Sequence, residues 1–236
     1  MTFVDSMRYV HILGGTIALA TFWTAATLRK GSGPHIGVGR SYLIAMCVVM
    51  VSAIPLAVAA FRAGTPVFGT FLLYLVVITG TACWTAWRAI RDKRQPTRYA
   101  GTIYQALAWV NIVAGAGVLL LGIAYGIVIL MALSLVGLIS GPVMLRFARQ
   151  GPDNTRWWLR EHYLGIIGGG VATHIAFLSL GLTRFVPAEH AQTIQYIAWF
   201  GPLTAAVAAR MWLNRKYETS EVIGATRKVI TADGRT

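Results

Sequence analysis

Residues 102–145 run for 44 positions without one charged side chain or histidine. A continuous helix of that length rises roughly 66 Å, about twice the ~30 Å hydrocarbon core of a bilayer. So long a run is too apolar for water and too long for one crossing. The stretch is therefore predicted to be a helical hairpin, closed at Gly122-Ile-Ala-Tyr-Gly126, where two glycines permit a tight turn.

Further apolar runs of about membrane length flank this hairpin. The predicted spans are 7–28, 41–61, 67–87, 102–121, 125–145, 163–183 and 191–212. With 56% hydrophobic and 12% charged residues, the chain does not fit a soluble domain. The expected fold is all-α: a polytopic integral membrane protein, a seven-transmembrane-helix bundle over residues 1–213 with a polar cytoplasmic tail over 214–236. Cys47 and Cys83 both fall inside apolar runs and read as small core residues, not as a disulfide framework.

The formal charge of +13 belongs to topology and not to nucleic-acid binding. Arg29, Lys30 and Arg40 lie between the first two spans. Arg88, Arg91, Lys93, Arg94 and Arg98 lie between the third and fourth, and Arg146, Arg149, Arg156 and Arg160 between the fifth and sixth. With Arg210, Arg215, Lys216, Arg227, Lys228 and Arg235, 18 positive residues fall on one side. Only Arg8, Arg62 and Arg184 fall on the other. This split predicts the N-terminus outside and the C-terminus inside a bacterial-type cytoplasmic (inner) membrane, with anionic lipids held at the basic inner face. The first span has its positive cluster behind it, at Arg29-Lys30, which argues for an uncleaved helix and against a signal peptide.

The eight acidic residues all lie in loops, at span edges or in the tail. A carboxylate at the midplane, as ion-coupled transporters commonly have, is therefore not expected. There is no nucleotide-binding loop, serine-nucleophile turn, HExxH or CxxC. Histidine is left as the titratable or metal-ligating side chain placed within the membrane region. His11 and His174 are predicted in the outer half, His35 and His162 at the inner interface, and His190 at an outer helix end beside Glu189.

Two histidine levels match a b-type haem or metal protein that passes electrons across the membrane. In that reading His11, His174, His35 and His162 are ligands, Arg40 and Arg160 neutralise haem propionates or an anionic partner, and nearby glycines let a flat macrocycle approach. The twelve residues from His162 to His174 turn the helix by roughly 120°, so the two are poorly aligned for stacked haems. One haem between His11 and His174, or a metal or anion site at His35/His162, is easier. The alternative is a cofactor-free small-molecule transporter or an accessory, structural membrane protein. In it the histidines with Gln105 and Asn111 line a path or an interface, and the glycine pairs at four-residue spacing serve helix packing or a homodimer.

The stretch His11-Ile-Leu-Gly14-Gly15, the basic turn after Arg29-Lys30, and His35-Ile-Gly-Val-Gly39-Arg40-Ser-Tyr42 resemble the bacterial membrane family DUF2306. That family tends to open its second helix with His-Arg-x-x-Gly-Arg-x-Tyr; here Ile36 stands where the Arg is usual. Arg160-Glu-His162-Tyr is similar to a third signature, a histidine opening a later helix, without the methionine that usually follows. The likeness covers about a quarter of the chain. It implies a helical membrane protein and no particular reaction.

Overall fold

The computed structural model describes residues 2–181 and 187–233, with side chains except those of residues 180, 188, 191 and 218–233. Arg184 and the side chains of Arg227, Lys228 and Arg235 therefore lie outside the described residues. Within them all regular structure is helical: α1 (Phe3–Thr27), α2 (Gly33–Arg62), α3 (Pro66–Arg91), α4 (Pro96–Tyr99), α5 (Thr102–Tyr125), α6 (Val128–Gln150), α7 (Trp157–Ala176) and α8 (Ala191–Asp233). Five of these, α1, α2, α3, α5 and α6, are long and apolar enough to cross a membrane. The chain divides into two units, residues 1–177 and 178–236.

Local chemistry sets the helix starts. Thr2 caps α1 in a reciprocal box with Asp5, satisfying two of the helix's free N–H groups. Ser32 caps α2, and Pro34 occupies its first turn, where a missing N–H costs nothing. This start lies well before the predicted 41, so the polar His35–Arg40 segment is the first two turns of a helix and not a lead-in to one. Likewise α7 starts at Trp157, before the predicted 163. The charge-free run folds as expected into two helices. Gly126, at φ 65°, closes α5 in the left-handed conformation, which glycine adopts without a Cβ penalty.

In the first unit α1 packs along α2, α5 packs along α6, and α3 lies centrally, touching α2, α5, α6 and α7. Glycines set these contacts. A Cβ at Gly137 would strike the Asn111 carbonyl, and one at Gly141 would strike Ile112, so α6 rides directly on the α5 backbone. Gly122 faces the same interface, against Met131, while its carbonyl accepts from Ile127 N–H at the turn. On α7, Gly165 abuts the Ala82 carbonyl of α3. Close backbone approach of this kind is how helices gain van der Waals contact where lipid gives no hydrophobic drive.

Two buried polar groups pin α3 to its neighbours. The Asn111 side-chain amide donates to Thr81 Oγ1 at 2.7 Å. The Tyr74 hydroxyl donates towards the Leu133 and Ser134 carbonyls and accepts from the Gly137 N–H at 2.9 Å. Asn111 thus bridges helices, whereas Gln105 bonds locally to the Ala100 carbonyl and Ser134 to Met131 of its own helix. Phenylalanine at 74 is expected to strand the Gly137 N–H and lower stability by about 1–3 kcal/mol, read as an earlier thermal unfolding midpoint.

The end of α3 that carries Arg88 and Arg91 builds an aromatic core. Tyr99, from the one-turn helix α4, is fully buried and touches Trp84, Tyr104, Phe147 and Trp157. Trp157 is therefore a core residue. Around this core cations lie over indoles: Arg88 over Trp84, Arg91 over Trp87 and Lys93 over Trp158, at 5.0, 5.1 and 5.7 Å.

The second unit contains the short turn Ala188–His190 and α8, which runs through Pro202 and on to Asp233. His190 and Glu189 are both exposed there, 3.7 Å apart.

Candidate functional site

The histidines of the first unit share one arrangement. Each presents Nδ1 to a backbone carbonyl: His11 to Val49 at 3.0 Å, His35 to Ala25 at 3.1 Å, His162 to Ala86 at 3.0 Å, and His174 to Gly170 at 2.7 Å. A carbonyl only accepts, so Nδ1 carries the proton in each, and in the neutral ring the lone pair sits on Nε2. Three of the four bonds join separate helices. His11 and His35 tie α1 to α2, and His162 ties α7 to α3.

His11 reaches α2 because Gly14, one turn later, lets the two helices close on Val48, Val49 and the Ala45 carbonyl. Its Nδ1 also lies 3.1 Å from Ser52 Oγ, a buried hydroxyl that itself bonds back to the Val48 carbonyl. His174 has both nitrogens committed. The Trp23 indole N–H, a donor only, points at Nε2 from 2.9 Å, so the Nε2 lone pair is used. Phe22 and Trp23 stand edge-on to the ring, at centroid distances of 5.4 and 5.6 Å.

These contacts decide how the sequence-derived ligands group. His174 lies on the stretch of α7 whose Gly169 and Thr173 meet Tyr42 and Met46 of α2, whereas His11 meets Val49 and Ser52. Tyr42 and Val49 are seven residues apart, roughly 10 Å along a helix. Two imidazoles on one ion come within roughly 4 Å of each other, the sum of two metal–nitrogen bonds. His11 and His174 are thus not brought together. Nor do the α7 glycines leave clearance for a macrocycle. Phe22 fills the face of Gly170, the Tyr42 hydroxyl lies against Gly169, and α3 fills that of Gly165. The residues present between α1 and α7 do not fit a haem. Among the described residues no group of three or more His, Cys, Asp or Glu side chains converges as a metal site would require.

His35 and His162 lie at a common level. Gly169 against Tyr42 and Thr173 against Met46 place α7 beside α2 in parallel register. Seven residues back along both helices, His162 is level with His35. Arg160, two residues before His162 and so roughly 200° round α7 from it, has its Nε buried without a partner among the described residues. Arg40 is exposed on α2.

Sequence reading missed the carboxylates on the other side of this end. Asp92, 1% exposed, takes both Arg88 and Arg98, and Glu161 accepts from the Tyr99 hydroxyl at 2.9 Å. The signal for the first was the Arg88/Asp92 spacing of four. Nothing local marks the second, because Tyr99 and Glu161 are brought together by the fold alone.

No protein-family profile, curated protein or solved structure matches the chain.

Proposed function

We propose that this chain is a cofactor-free, seven-span protein of a bacterial-type cytoplasmic membrane, N-terminus out and C-terminus in, whose basic inner end binds anionic lipid. The supporting observation is the set of cations laid over indoles at the Arg88–Lys93 end of α3. It lies at the end where the charge count puts the inner face. Indoles at such a level sit among headgroups, and cations beside them meet lipid phosphate. In this reading α7 and the apolar part of α8 are the sixth and seventh spans. Its first two turns carry Arg160, Glu161 and His162, which lowers the hydropathy of α7. The motif likeness to DUF2306 belongs to the same proposal.

The histidines act as staples between helices. Nδ1 is spent on backbone carbonyls, and in His174 Nε2 is spent on Trp23. Removing the indole donor with Trp23→Phe is expected to cost about 1 kcal/mol, seen as a small fall in the unfolding midpoint.

The test compares the purified protein in nanodiscs of phosphatidylcholine alone and of phosphatidylcholine mixed with phosphatidylglycerol. The expected result is a higher unfolding midpoint in the anionic lipid, with the difference shrinking as salt is added. Equal midpoints would overturn the lipid reading. Protein from haem-replete cells is expected to lack a Soret band. A band that shifts on dithionite reduction would return haem to the account. A reporter active only outside the membrane, fused after Lys216, is expected to stay silent.

A further inference from the structure

At the end of α1 and α2 far from the Arg29–Lys30 turn, a groove of about 640 Å³ lies between the start of α1 and the last turns of α2. That volume is within the range of small-ligand sites, roughly 300–1,000 Å³. Phe3 and Val4 of α1 line it together with Ile54, Val58 and Arg62 of α2, and the remaining lining residues include Ala59 and Ala63, which are too small to fill it. Ile54 and Val58 are exposed, so the groove opens towards the surface that α2 presents to lipid.

The lining is apolar except at one end. Arg62 is its single polar residue and belongs to the last turn of α2, where the helix dipole favours a cation. From Arg62 back to Ile54 the wall runs roughly 12 Å along the helix, from the helix end into the apolar layer. Among the described residues Arg62 has no ion pair, hydrogen bond or ring contact from its side chain. Asp5, on the first turn of α1, is already bonded to Thr2 and Arg8. The guanidinium thus keeps a fork of donors that fits an anionic oxygen pair.

A cation at the helix end and an apolar wall leading inward match an amphiphile with an anionic head. The open side decides between one chain and two. A phospholipid can lay one acyl chain along Ile54 and Val58 and leave the other in the bilayer, where it costs nothing. We propose that this groove binds one anionic phospholipid, with its phosphate on Arg62 and an acyl chain between α1 and α2. A zwitterionic lipid carries an ammonium that offsets the same contact. The proposal uses α1 and α2 as spans and does not rest on lipid binding at the Arg88–Lys93 end.

Native mass spectrometry of the full chain, released from a neutral detergent, is run against dioleoyl phosphatidylglycerol and dioleoyl phosphatidylcholine. The first phosphatidylglycerol is expected to bind about tenfold more tightly than the first phosphatidylcholine. Arg62→Gln is expected to remove that preference, and Arg62→Lys, which keeps the charge but not the fork, to retain part of it. Ala59→Leu, which fills the groove, is expected to weaken the first binding of both lipids. Lys93→Gln, on the indole-stacked surface at the other end, is expected to leave the first binding unchanged. Equal affinity for the two lipids, or a preference unchanged in Arg62→Gln, overturns the groove. A preference lost in Lys93→Gln but kept in Arg62→Gln overturns it too, while leaving the reading of the basic end standing. If the species retained from cells is a free fatty acid or a second copy of the chain, the phospholipid is the wrong occupant and the proposal falls.

Discussion

Valine at Gly137 is expected to leave little folded protein. A Cβ there meets the Asn111 carbonyl on one side and the Tyr74 hydroxyl, 2.7 Å away, on the other. One is backbone and the other a side chain already bonded to α6, so neither can swing clear. Ordinary overpacking of a core costs about 1–3 kcal/mol. Here the extra atoms also push α5 from α6 and break the Tyr74 bonds to Leu133, Ser134 and Gly137, so a loss above about 3 kcal/mol is expected. Size-exclusion profiles in mild detergent should show aggregate in place of the main peak. Gly117→Ala is the control. Nothing lies within 4 Å of a Cβ at Gly117, and alanine is the better helix former. A Gly137→Val protein that elutes and melts like the parent would show that α5 and α6 are not held by this contact.

The same hairpin shows why part of the fold could be read from sequence. A run of 44 uncharged residues must turn once, and Gly122 to Gly126 was the place where it could. Gly126 made the turn, while Gly122, identical in type, went into the helix interface. Spacing does not distinguish the two, because the choice depends on what faces each glycine across the hairpin. Helix starts were harder for another reason. Hydropathy marks where a helix enters the apolar layer, but Ser32 and Arg156 begin α2 and α7 in polar sequence beyond that layer. His35 and His162 were assigned to the inner interface by counted position along their helices. The outer pairing of His11 with His174 rested on counted depths alone. It did not include Trp23, whose indole N–H takes the His174 lone pair from across the α1–α7 interface.

Removing the carboxylate of Asp92 is the second change with a large expected effect. Asp92 ends α3: its N–H bonds to the Arg88 carbonyl at 2.8 Å, and its own carbonyl accepts from Gln95 N–H at 2.7 Å. Its side chain, 1% exposed, is shared by Arg88, 17% exposed, and Arg98, 62% exposed. Arg88 also donates to the Arg98 carbonyl at 3.1 Å and lies over Trp84, so one ion pair fixes how α4 returns onto the aromatic core. Asp92→Ala leaves the largely covered Arg88 guanidinium without its counter-charge, and breaking one side of a fully buried pair costs about 3–5 kcal/mol, an upper bound here. Arg98→Gln removes only a solvated partner and is expected to cost less than about 1 kcal/mol. The loss in Asp92→Ala should appear as an earlier unfolding midpoint. It should also flatten the near-ultraviolet circular dichroism, because Tyr99 sits against Trp84, Tyr104 and Trp157 only while α4 is held down. If both variants shift the midpoint equally, Asp92 contributes through solvated charge alone, and the clasp on α4 must lie in the aromatic contacts.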